Sequence, residues 1–232
     1  MISYKDIYKR AIKLFDDPII QKAYVEDKVR FHKLMYPHLM NGLDLFNNPS
    51  SVSLALLDQT DPVGQLETLV GDGGDTYTLT ITPAEGSDMS YIVNGVYDKK
   101  ASYDPENHTV TFSKVVPEGI PCSVEWYSCG CFNTDFTSVQ SPTMSASAIS
   151  AKVTDILARA LVLNWATEEQ NYLLDIKNIL TDTDFKLYSP ANSIRAKCEW
   201  VNKVQNDFDT LTNKFSWNLY SRAKHGGRYY GN

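Results

Sequence analysis

The chain is poor in the residues that carry most protein chemistry. Four cysteines and four histidines are scattered over 232 residues. Cys129-Gly130-Cys131 has one intervening residue, fewer than a zinc knuckle uses, and no histidine pair stands at ligand spacing beside it. Cys122, Cys129, Cys131 and Cys198 are therefore expected as reduced, structural thiols, with a metal or a disulfide as the alternatives. No metal ligand and no cofactor is assigned. No serine sits in a nucleophile elbow, and no cysteine–histidine pair is legible along the chain. Gly71-Asp72-Gly73-Gly74 lacks the Lys-Ser/Thr of a phosphate-binding loop and reads as an entry loop. Glu168-Glu169 and Asp182/Asp184 stand where helix caps and turns favour acids. Asp104-Pro105-Glu106-Asn107 lacks the spaced acidic pattern of a calcium loop and reads as a turn. No catalytic residue is assigned, and nothing here requires an enzyme.

Two further shortages narrow the class. No apolar run approaches the roughly 20 residues needed to span a bilayer, so no membrane partner is expected. The opening Met1-Ile2-Ser3-Tyr4-Lys5-Asp6 leads directly into an amphipathic helix, which sets an expectation of synthesis in a cytosol. Basic charge is not in excess: 22 Lys and Arg face 28 Asp and Glu, a net charge of −6. That balance argues against a surface gripping nucleic acid throughout, while leaving room for a basic patch. The hydrophobic fraction of 43% and charged fraction of 22% are those of an ordinary globular chain able to bury a core.

What the chain does have is a block of short runs rich in Val, Ile, Thr and Tyr: Thr76 to Thr82, Met89 to Val96, Thr109 to Lys114 and Pro121 to Tyr127. Turn chemistry separates them, so they are expected as strands of one small β-domain. On both sides the periodicity is helical. Ser3 can cap a helix carrying Ile7, Ala11, Leu14 and Phe15, and Asp16-Asp17-Pro18 stops and restarts the chain. Ile19 to Phe46 suits one or two helices, with Pro37 as the kink or division. Val52 to Leu57 fits either strand or helix. Ile149 to Trp165 makes an apolar stripe, and Thr167-Glu168-Glu169-Gln170 fits a capping box opening another helix to Leu180.

Ser189-Pro190 is expected to cap the longest helix, running to Tyr220 and on the order of 45 Å long. Its apolar positions Ile194, Val201, Val204, Phe208, Leu211 and Phe215 approach a 3.5-residue spacing, which Lys197 and Asn218 interrupt. These positions are candidates for contacts within a bundle or between subunits. Beyond them Ser221 to Asn232 changes composition, with Arg222, Lys224, His225, Arg228, Tyr229 and Tyr230 around a Gly226-Gly227 hinge and no acid. Such a tail is either a frayed terminus or a docking arm; the Tyr pair beside arginines favours the arm. The expected fold is α+β: a helical bundle with a long C-terminal helix, interrupted by a small antiparallel β-sandwich. The divisions are 1–62 helical, 63–132 β-sandwich, 133–220 helical and 221–232 tail.

Tyr91-Ile92-Val93-Asn94-Gly95, Tyr103-Asp104, Val110-Thr111-Phe112, Gly119 and Val124-Glu125-Trp126-Tyr127 together resemble β-sandwich modules common in tailed-bacteriophage virion proteins. The flanks resemble small helical head–tail connector proteins, the neck adaptors. The residues concerned are Ser3 to Tyr8, Phe15-Asp16-Asp17, Phe132-Asn133-Thr134-Asp135-Phe136, Asn164-Trp165 and Asp184 to Asn192. Phe136 stands where that family has Leu, and Pro190 where a polar residue is commoner.

The resemblance implies a structural virion protein with no catalytic residue, located at the head–tail interface. It implies a homo-oligomeric ring of about twelve copies below the portal protein, closed by head-to-tail contacts. Downstream neck or tail proteins would be further partners, and double-stranded DNA would pass through the lumen without specific binding. Arg222, Lys224, His225, Arg228, Tyr229 and Tyr230 would then dock on the portal. Two alternatives remain open: another neck ring such as a tail terminator, and a carbohydrate-binding accessory protein using aromatics of the β-block such as Tyr77, Tyr91, Tyr97, Tyr103, Phe112, Trp126 and Tyr127.

Overall fold

A computed structural model describes residues 1–139, 141, 143–182 and 191–220, with side chains described except at 173–182 and 191–194. Its elements in chain order are β1 (Ile2–Ser3), α1 (Tyr4–Ala11), α2 (Pro18–Glu26), α3 (Lys28–Leu43) and α4 (Ser50–Ala55). The strand-rich stretch follows: β2 (Gln59–Thr60), β3 (Val63–Val70), β4 (Thr76–Thr78), β5 (Asp88–Val93), β6 (Val96–Tyr97), β7 (Ser102–Asp104), β8 (Thr109–Thr111), β9 (Pro121–Ser128) and β10 (Cys131–Phe132). Two long helices close the described chain, α5 (Ala146–Asp182) and α6 (Ala191–Tyr220). The strands form three sheets, in the orders β1-β10-β2, β3-β9-β5-β6 and β4-β8-β7.

The chain divides into two compact units. Unit one takes Met1–Phe15, Met35–Gln59 and the described residues from Phe132 onward. Its first helix is capped as the sequence requires: Ser3 Oγ accepts from the Lys5 N–H at 3.2 Å. The i, i+3, i+4, i+7 spacing of Tyr4, Ile7, Tyr8 and Ala11 puts all four on one face, and all four are buried. Against them lies α5, whose residues Ile156, Leu157, Ala158, Ala160, Leu161 and Val162 are buried around nearly the whole circumference. Gly42 of α3 permits a close crossing here, because a Cβ would come within 3.0 Å of the Ala160 carbonyl carbon.

α5 does not break at Thr167. The Thr167 hydroxyl donates back to the Leu163 carbonyl at 2.8 Å, the bond of a helix interior, so the expected capping box is not used. Nor does Pro37 divide the earlier helix: it lies inside α3, and the division falls at Asp27. Val52 belongs to a short helix, α4.

α6 packs on α5 along a seam of period seven. Val201, Phe208 and Phe215 are buried on it, while Val204 and Leu211 are half-buried. Lys197, the residue that interrupts the apolar repeat, places its ammonium 4.7 Å from the Trp165 ring centre and 4.8 Å from that of Trp200. Its charge is thereby accommodated by two aromatic faces.

Unit two takes Asp16–Leu34 and Thr60–Cys131. Alternation along paired strands β5 and β9 explains its layers. One face of their sheet, with Leu69, Met89, Tyr91, Val93, Cys122 and Val124, shares a core with Tyr77 and Val110 of the β4-β8-β7 sheet and with Phe112, which follows β8. The opposite face carries Asp88, Ser90, Glu125 and Tyr127, and α2 with the start of α3 covers it. There Lys33 pairs with Glu125, Ser90 donates to Asp27 at 2.7 Å, and His32 stacks beside Tyr127 with ring centres 6.4 Å apart.

The expected fold is therefore corrected. The protein is a mixed structure of six helices and three antiparallel sheets among the described residues, not a helical bundle interrupted by a small β-sandwich. The physical reason is that polar face: its acids and hydroxyls, which look solvent-facing along the chain, are partners for the helical segment ending at Leu34, 54 or more positions before them in the sequence. The C-terminal helix is also shorter than α5, at 30 residues against 37.

Candidate functional site

The most concentrated chemistry in the described residues is in unit two. Asp27 ends the link between α2 and α3, where its carboxylate accepts from the Arg30 N–H at 3.0 Å and the Ser90 hydroxyl at 2.7 Å. Burial pushes the Asp27 pKa upward, but the hydrogen bonds from Arg30, Tyr97 and Ser90 outweigh it, and the net direction is down. Tyr97 is pushed up, first by its bond to Asp27 and then by burial. Three anchors thus fix the first turn of α3 over β5. A polar hollow of about 290 Å³ beside them is lined by Asp27, Lys28, Ser90, Tyr91, Tyr97 and Lys99 among others.

His32 follows on α3, only 2% exposed, with its ring against those of Tyr24, Phe31 and Tyr127. From the sheet side, half-buried Asp88 opens β5 and half-buried Cys129 follows β9. The His32 Nδ1 lies 3.0 Å from Cys129 Sγ and 3.4 Å from Asp88 Oδ2. A thiol, an imidazole and a carboxylate therefore meet at one point. A hydrolytic relay needs the nucleophile on one ring nitrogen and the acid on the other. Here both approach Nδ1, which is not that geometry.

This cluster was illegible in the sequence. His32 and Cys129 are 97 positions apart, and the spacing rule that dismissed Cys129-Gly130-Cys131 looks only at neighbours. The one available signal is the alternation of β9, which puts Tyr127 and, two positions on, Cys129 on the face away from the apolar core.

The expected site residues fall elsewhere. Val201, Val204, Phe208, Leu211 and Phe215 lie on α6 in unit one, with Phe215 6.3 Å from Phe46, ring centre to ring centre. The side chain of Ile194 lies outside the described residues, and so do Arg222, Lys224, His225, Arg228, Tyr229 and Tyr230. Asp104 makes an Asx-type turn, accepting from the Glu106 N–H at 2.9 Å and the Asn107 amide at 2.7 Å. Of the aromatics that could serve a sugar, Tyr77, Phe112, Trp126 and Tyr127 are buried. Among the described residues no helix is long and apolar enough to cross a membrane. No protein-family model, no curated protein and no solved structure matches this chain.

Proposed function

We propose that this chain is a structural virion protein of a tailed bacteriophage, an adaptor that forms a ring below the portal and conducts DNA between capsid and tail. One observation carries the reading: the separated segments that resemble neck adaptors meet in one core. Phe132 packs edge-on to Tyr4 at 4.9 Å, Phe15 packs edge-on to Trp165 at 5.0 Å, and Phe136 is fully buried. Those positions lie in parts of the chain up to 161 residues apart, and their meeting in one folded unit supports the reading.

Net acidity supports the same reading. A ring that conducts duplex DNA must not hold it, and each strong phosphate contact would add affinity and friction. The ring's partners are further copies of this chain, the portal above and neck or tail proteins below. Its place is the virion neck, after synthesis in the host cytoplasm. The tail from Ser221 onward is the portal-docking arm in this proposal.

The test is to mix full-length protein with the portal and to compare a chain ending at Tyr220. Full-length protein should co-sediment with the portal as a ring, and the shortened chain should lose that association while remaining folded. A protein missing from purified virions, and monomeric in the presence of portal, would overturn the proposal. A terminator ring would instead associate with tail tubes.

A further inference from the structure

We propose that His32, Asp88 and Cys129 form a binding site for a divalent metal ion of the zinc class. The site stands apart from the neck reading and would exist whatever the chain assembles with. The donor atoms come from three separate segments, one on α3, one at the start of β5 and one after β9, yet all lie within 4.8 Å of one another. Packing of an apolar core does not need that convergence.

The spacing fits an ion. With bonds of about 2.0 to 2.3 Å, a tetrahedral zinc sets a ligand nitrogen about 3.6 Å from a ligand sulfur and about 3.3 Å from a ligand oxygen. The observed separations are 3.0 Å and 3.4 Å, both measured from the same Nδ1. Movement of roughly half an ångström by the Cys129 side chain would bring the nitrogen–sulfur separation to that value. Convergence on a single ring nitrogen, which argues against a nucleophilic relay, is what chelation by that nitrogen requires.

The donor set selects the metal. Thiolate and imidazole are ligands for zinc and its neighbours, whereas magnesium and calcium take oxygen donors almost exclusively. On binding, the Cys129 thiol loses its proton to solvent and the sulfur forms the metal bond, so uptake releases a proton. The surroundings hold the ligands in place. Tyr24, Phe31 and Tyr127 confine the His32 ring, and the Asp27 hydrogen bonds fix the helix that carries it over β5. Three protein ligands leave a fourth position for water or an incoming group.

The experiment uses the full-length protein, stripped with a chelator and titrated with zinc or cobalt(II) chloride. Metal content is read by mass spectrometry after desalting, and folding by circular dichroism. One zinc per chain is expected, and cobalt should give a near-ultraviolet thiolate-to-metal band with intense tetrahedral visible bands. Cys129→Ser should abolish that band and weaken zinc binding at least ten-fold. Asp88→Asn should weaken zinc binding while keeping the band, and Cys198→Ser, in unit one, should change nothing.

Failure of the wild-type protein to retain metal would overturn the proposal, as would a cobalt spectrum without the thiolate band. So would a Cys129→Ser protein that binds like wild type, or loss of the band on Cys131→Ser with Cys129 intact. Because the wild-type cobalt spectrum decides by itself, a variant that fails to fold leaves the test complete.

Discussion

In unit one the tying residues are mainly apolar: α5 buries Ile156, Leu157 and Leu161 completely, and edge-on aromatic pairs fasten α1 and Phe15 to their surroundings, with the Arg10–Asp155 pair as a charged tie between α1 and α5. In unit two, segments distant in sequence are tied by carboxylates. Asp27 holds α3 to β5, Glu67 accepts from the backbone N–H groups of Thr80 and Ile81, and Asp98 accepts from the Ser113 N–H at 2.7 Å. The contrast follows from element type. Helices satisfy their own backbone and need only an apolar stripe to pack, whereas short strands leave loops whose orphan donors require side-chain acceptors. Unit one should thus respond most to lost volume, and unit two to backbone crowding and to acid.

The largest expected effect is Leu157→Ala. It should destabilise unit one by about 2 to 5 kcal/mol, seen as faster hydrogen exchange in α1 and α5 peptides while β9 peptides keep their protection. Equal loss of protection in both units would erase the distinction drawn between them.

Gly71→Ala comes next. Its added Cβ would collide with the Pro117 carbonyl oxygen and press on Val116 Cγ1 at 2.8 Å, and these are backbone and core neighbours with little freedom to yield. A cost of about 2 to 3 kcal/mol, confined to unit two in the same exchange experiment, is expected.

The acid response sharpens the comparison. Asp27, Asp98 and Asp104 all titrate below the ordinary carboxylate value in the folded protein. For a depressed pKa, the stability contribution is fully present above the unfolded value of about 3.9 and is lost as pH falls through the lower folded value. Unit two should lose exchange protection before unit one as pH falls through that window. Asp27→Ala should cost about 1 to 2 kcal/mol at neutral pH and flatten the acid response of α3, as followed by exchange in peptides covering Lys28 to Leu34.

The smallest effect belongs to Lys197→Ala, about 1 kcal/mol from the lost contact with Trp165 and Trp200, and measurable by denaturant titration. No loss there would mean that the seam between α5 and α6 holds through Val201, Phe208 and Phe215 alone.

Much of the local structure was legible. Ser3 as a cap and Pro18 opening α2 follow from helix-end preferences, and the strand expected over Pro121 to Tyr127, observed to Ser128, and the extent of α6 up to Tyr220 follow from patterns of period two or near four. Other elements were not. Val63–Val70 carries little strand signal, because its alternation is weak and most of its side chains are exposed; its pairing with β9 makes it a strand. Thr167 carries a capping motif, yet the packing around α5 keeps the helix going, because a local signal worth about 1 kcal/mol yields to burial on several sides.

Composition and periodicity therefore set most of the helices and strands, and they show no apolar run of about 20 residues, because those properties depend on neighbours within a few residues. Only the tertiary fold decided that residues 16–34 cover the polar face of the β5–β9 sheet and that His32 meets Asp88 and Cys129. Such meetings depend on strand register and layer order, which join residues about a hundred positions apart and leave no spacing pattern along the chain.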